Sequence, residues 1–72
     1  MKNKIENIVK TLHKHGRVEL NLIGLDIKKI TIVKKKGFGL ELRAREKVTH
    51  IEMNEIVPFL DHIAFFIETY SA

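Results

Sequence analysis

Residues 30–45 read Ile30-Thr31-Ile32-Val33-Lys34-Lys35-Lys36-Gly37-Phe38-Gly39-Leu40-Glu41-Leu42-Arg43-Ala44-Arg45, and this stretch decides the fold. Ile30 and Ile32 precede a centre rich in lysine and glycine, and Leu40, Leu42 and Ala44 follow it, each apolar residue two positions from the next. A period of two turns successive side chains to opposite faces and marks half-buried antiparallel strands. Register follows from parity, because a one-residue slip moves every side chain to the wrong face. A two-residue loop, Lys36-Gly37, sets Ile32 against Glu41. A three-residue loop, Lys35-Lys36-Gly37, pairs Ile32 with Leu40 and Ile30 with Leu42, and puts Gly37 where such a hairpin takes a left-handed residue.

The same test extends outward. Val18, Leu20 and Leu22 alternate with Arg17, Glu19 and Asn21. A turn at Gly24-Leu25-Asp26 pairs Leu20 with Ile30 and Val18 with Ile32. Beyond Glu46-Lys47, Thr49, Ile51 and Met53 form one side of a short strand, with Leu42 facing Ile51 and Leu40 facing Met53. Strands are predicted over about 17–23, 27–34, 38–45 and 48–53.

Helices bracket the strands. Ile5, Ile8, Val9 and Leu12 fall at i, i+3, i+4 and i+7, one apolar stripe. Asn3 and Glu6 make a capping pair, and Gly16 is the left-handed stop, so this helix runs from about 4 to 15. Ile56, Phe59, Leu60, Ile63, Ile67 and Tyr70 form a second stripe over about 55–70, with Asn54 as cap and Pro58 in the first turn. The expected fold is α+β: a four-stranded antiparallel meander with both helices on one face, in the order αββββα, as one domain over residues 1–72. Its predicted core is Ile5, Ile8, Leu12, Leu20, Ile30, Ile32, Leu40, Leu42, Ile51, Phe59, Leu60, Ile63 and Ile67.

Composition narrows the function. Hydrophobic residues make up 44% of the 72 positions, as in a globular chain. There is no cysteine, which fits a reducing cytoplasm. No apolar run approaches the roughly 20 residues of a bilayer span, and no secretory core follows the basic start. A soluble cytoplasmic protein with no membrane association is expected. Of the net charge of +4, residues 1–47 hold all 13 Lys and Arg against five acids, while residues 48–72 hold four acids and no Lys or Arg.

The register lays out the uncovered sheet face in rows. One is acidic: Glu19, Thr31, Glu41 and Glu52. The next is basic: Asn21, Lys29, Arg43 and His50. A third gathers Ile23, Ile27, Arg45 and Val48, an apolar patch that water should not cover. On the second helix Phe65 points away from Ile63, among acids, with Phe66 at the edge of the stripe beside Val57 and Ala64. Phe65, Phe66, Ile23, Ile27 and Val48 are therefore the candidate protein-interface residues. A homodimer is expected through the Phe65 surface, because aromatic anchors dominate small interfaces.

Lys34, Lys35, Lys36 and Phe38, with Lys29, Arg43 and Arg45, are the candidate nucleic-acid contacts: lysines at a hairpin tip meet phosphates, and a Phe stacks on a base. The acidic row beside them opposes that reading. His13, His15, His50 and His62 have no ligand spacing, so no metal or other cofactor is expected. Glu41 beside Glu52 suggests a carboxylate pair, but on an open face both are solvated and ionised, and no enzyme is expected. Two non-enzymatic classes remain, a protein-interaction or regulatory module and a nucleic-acid-binding accessory protein. Short lysine- and isoleucine-rich proteins of this kind also occur in phage and mobile elements.

No motif assigns a family. In element order alone the chain resembles double-stranded-RNA-binding domains, from which the fourth strand and the acidic Asn54-Glu55 start of the second helix set it apart. Its final strands and helix likewise resemble single-strand-binding coactivator folds by topology only, and topology does not carry function.

Overall fold

A computed structural model describes residues 2–37 and 39–72. Five antiparallel strands form one sheet in the order β4-β3-β2-β1-β5, flanked by an N-terminal and a C-terminal helix. The elements are α1 (Lys2–His15), β1 (Arg17–Leu22), β2 (Lys29–Lys34), β3 (Leu40–Ala44), β4 (Lys47–Ile51), α2 (Ile56–Ile63) and β5 (Ile67–Ser71), with 3₁₀ turns at Met53–Glu55 and Ala64–Phe66.

The stripe of α1 buries Ile5, Ile8 and Leu12. The helix starts at Lys2, so Asn3 lies within its first turn and does not cap it. At the other end Gly16 takes a positive φ of 76° and its amide donates to the Leu12 carbonyl at 2.8 Å, as a glycine stop requires. The helix lies over β1 and β2 and touches α2. Val18, Leu20, Leu22, Ile30, Ile32 and Leu40 rise from the sheet to meet it, and Ile56, Leu60 and Ala64 come down from α2 and the turn after it. Complete burial of one such aliphatic side chain contributes about 1.5–3 kcal/mol, so the core rests on this inner face.

Register agrees with the sequence on one side and differs on the other. Leu20 pairs with Ile30 and Val18 with Ile32, as predicted. The β2–β3 ladder instead pairs Ile32 with Leu42 and closes at Lys34–Leu40, two residues later than a three-residue loop allows. A shift of two keeps parity, so the apolar set stays inside. The β3–β4 ladder pairs Leu40 with Ile51 and Leu42 with Thr49, around a tight turn at Arg45-Glu46. It is also two residues from prediction, and Met53 falls in the first 3₁₀ turn.

The larger correction concerns residues 64–70. The second helix ends at Ile63, and Ile67–Ser71 form a fifth strand along β1, with Leu20 opposite Tyr70. Its start also differs: the 3₁₀ turn precedes it, with the Glu52 amide donating to Glu55 Oε1 at 2.8 Å, so Asn54 sits inside that turn and caps nothing. Pro58 is third in α2, where its missing N–H costs little. With α2 so short, β3 and β4 are incompletely covered. A groove of about 790 Å³ opens between Phe59, Leu42, Ala44 and Thr49. Leu42, Ile51, Phe59 and Ile63 are therefore half-buried, whereas the other nine predicted core residues are buried.

Candidate binding surfaces

Both helices pack on one face, so the opposite face of the sheet is open. Its rows follow from the observed ladders. Arg17, Val33, Glu41 and His50 form one, and Ser71, Glu19, Thr31, Arg43 and Val48 the next. Thr69, Asn21 and Lys29 form a third, tied by Asn21 Nδ2 donating to Thr69 Oγ1 at 3.0 Å. The predicted acidic row is thus not formed. The two-residue shift removes Glu41 from the side of Thr31 and puts Arg43 there, and it sets His50, not Glu52, opposite Glu41. The predicted row Asn21, Lys29, Arg43 and His50 is broken for the same reason.

Each carboxylate at the centre of this face lies between two cations. Glu19 is 3.6 Å from Arg17 and 3.3 Å from Lys29. Glu41 accepts from the Arg43 guanidinium and lies 3.3 Å from Lys35. Arg43, and then Lys35, hold the Glu41 carboxyl below its ordinary range. Such exposed pairs are screened by solvent and contribute little to stability. Their chief effect is to cancel negative charge on a surface that still has cations in excess.

That excess gathers at one end. Lys28, Lys29, Arg43 and Arg45 line a depression with Thr31 and a single acid, Asp26. Arg45 adopts φ 57°, the only non-glycine with positive φ among the described residues. For an L-residue this conformation costs about 1–2 kcal/mol, and two-residue hairpin turns favour Gly, Asn or Asp there. Its guanidinium donates to the Asp26 carbonyl at 2.8 Å, joining the β3–β4 turn to the loop between β1 and β2. Lys34, Lys35 and Lys36 lie at the other end of β2, all exposed. Phe38 lies outside the described residues.

The apolar candidates divide. Phe65 is 82% exposed, and its ring stands edge-on to Phe66 with centroids 5.7 Å apart. The Ile23 amide donates to the Phe66 carbonyl at 2.9 Å, and Phe66 lies against Gly24. Ile23 is itself 57% exposed. These three residues therefore form one apolar end, where β1 and β5 meet. Ile27 and Val48 do not join them: Ile27 packs against the core and lines the groove, and Val48 stands on the open face opposite Arg43. Ala64 is buried, and Phe65 belongs to a 3₁₀ turn and not to a helix face. Lys28 and Asp26 are the contributors that the sequence reading missed. Their signal was the Gly24-to-Asp26 turn, which brings its flanking residues to the start of β2.

Among the described residues there is no cluster of three or more potential metal ligands, and no helix is long and apolar enough to cross a membrane. No family model matches the chain, and no curated protein or solved structure matches it.

Proposed function

We propose that this chain is a small non-enzymatic protein-interaction module that self-associates through the end formed by Ile23, Phe65 and Phe66. The observation that carries the reading is the Phe65 ring, left 82% exposed on a second aromatic ring. One Phe removes on the order of 150–200 Å² from water when covered, and a 72-residue core has little burial to spare. A two-fold contact needs one self-complementary patch, and the free edge of β5 beside this one extends it with backbone donors and acceptors. A non-enzymatic role is supported by Glu19 and Glu41, each engaged by two cations on an open face. The lack of cysteine favours a reducing cytoplasm.

Light scattering or sedimentation at micromolar concentration tests the proposal. A two-chain mass that falls to one chain in Phe65→Asp is expected. A wild-type mass of one chain at every concentration overturns it, as does a Phe65→Asp protein that keeps the wild-type mass.

A further inference from the structure

The open sheet face is a surface separate from the apolar end, and it has its own chemistry. Four cations and one acid surround the depression at its edge. The β2–β3 ladder, carried two residues past the Thr31–Arg43 pair, brings Arg45 level with Lys29. Lys29 and Arg43 thus stand on the neighbouring strands β2 and β3, Lys28 and Arg45 lie in the segments that flank them, and Thr31 lines the same depression. From Lys29 to Lys35 the face extends about 20 Å at strand rise, and Arg17 lies along it opposite Val33. This is somewhat over half of a B-DNA helical turn. Lys29 and Arg43 are shared with Glu19 and Glu41, whose second cations are Arg17 and Lys35, so six cations (Arg17, Lys28, Lys29, Lys35, Arg43 and Arg45) stand against three acids (Glu19, Glu41 and Asp26) and the face keeps a positive excess.

Arg45 supplies an independent observation. The turn residue carries a strained φ of 57° where glycine is unstrained, and its side chain is tethered beside the depression through the Asp26 carbonyl. Strain kept at one residue points to a role for its side chain.

We propose that this face binds the phosphate backbone of duplex nucleic acid, centred on Lys28, Lys29, Arg43 and Arg45. Thr31, Asn21 and Thr69 supply hydroxyl and amide groups of the kind that meet phosphate and sugar oxygens. Among the described residues the face carries no Phe, Tyr or Trp, and its one aromatic ring is the His50 imidazole opposite Glu41, so it offers little stacking for single strands. Its apolar members are Val33 and Val48, too few to insert into a lipid surface. Binding is therefore electrostatic and indifferent to sequence.

Anisotropy titration of a labelled duplex DNA at several salt concentrations tests this, with single-stranded DNA and vesicles containing phosphatidylserine as comparison ligands. With about four phosphates engaged, log K is expected to fall against log salt with a slope of about −3.6. Arg43→Ala and Lys28→Ala should each weaken binding on the order of tenfold and reduce the slope by about one. Arg45→Gly should do the same while holding or raising the melting temperature, and Arg45→Lys should retain the wild-type slope. No duplex binding at low salt overturns the proposal. So does duplex binding unchanged in all three neutral variants, or tighter binding to single strands or vesicles than to duplex.

Discussion

Gly39 lies beneath the imidazole of His50. A Cβ built on this glycine would overlap the ring and come within 3.1 Å of the Ile51 carbonyl oxygen, and its φ is +92°. The β3–β4 ladder brings these residues together, since Leu40 pairs with Ile51 and Glu41 with His50. Gly39→Ala is expected to destabilise the fold by about 1–3 kcal/mol in urea unfolding. Gly37 has a similar φ of +88° but open space around it, so Gly37→Ala should cost only the backbone share, about 1 kcal/mol. Equal losses at the two sites would refute the packing role of His50 and Ile51.

Ile67 is the buried anchor of β5, and its carbonyl accepts from Lys4 Nζ at 2.7 Å. Ile67→Ala should destabilise by about 2–4 kcal/mol, the usual loss for a large aliphatic cut back in a core. The strand itself is tested by NMR. Cross-strand contacts between the backbones of Leu20 and Tyr70 are expected, and sequential helical contacts over 67–71 would contradict it.

Phe65 and Phe66 should separate association from stability. Phe65→Ser is expected to lower the apparent mass and leave monomer stability within about 0.5 kcal/mol of wild type, because the ring is exposed. Phe66 is half-buried against Gly24, so Phe66→Ala should lower the melting temperature as well. Thermal scans over a concentration series distinguish the two effects.

Glu41 gives the acid side of the stability profile a specific contributor. Arg43 and Lys35 hold its carboxyl below the ordinary 4.5 in the folded state. A depressed folded value means stability that is present above the unfolded value and lost as pH falls through the folded one. The loss therefore develops below about pH 4.5. Arg43→Ala should raise the Glu41 midpoint toward 4.5, seen in its carboxyl carbon shift, and flatten the acid decline. An unchanged midpoint would remove Arg43 as the cause.

The legible parts of the fold were those where one period alone fits. Leu20 and Ile30 pair as predicted because the β1–β2 ladder is centred on the Gly24-to-Asp26 turn. In the next hairpin a loop ending at Gly37 and one two residues longer share the same parity. The ladder begins only after a second positive-φ glycine, Gly39. Faces were therefore read correctly and neighbours were not, which is how Arg43 moved next to Thr31 and the acidic row dissolved. The fifth strand was hidden by a bulge. Leu22 pairs with Ile67 and Asn21 with Thr69, leaving Glu68 as the extra residue. Ile67 and Tyr70, three apart, thus both turn toward the core. That spacing belongs to a helix in any sequence reading, and a bulge alone lets a strand imitate it. The apolar end depends on this turn of the chain, since Phe66 reaches Ile23 only because the helix stops at Ile63.

Leu20 and its partner Tyr70 lie 50 positions apart, so β1 leaves the ribosome well before the strand that completes it. At elongation rates of about 5–20 residues per second, the outer edge of β1 waits several seconds with its ladder groups unpaired. The meander from β1 to β4 and the first helix can assemble in that interval, yet the nascent sheet then has an apolar edge at Leu22 open to any other strand. A transcript broken before the codon for Ile67 would make that interval permanent, and its product should be cleared or aggregate instead of persisting as a smaller version of the domain.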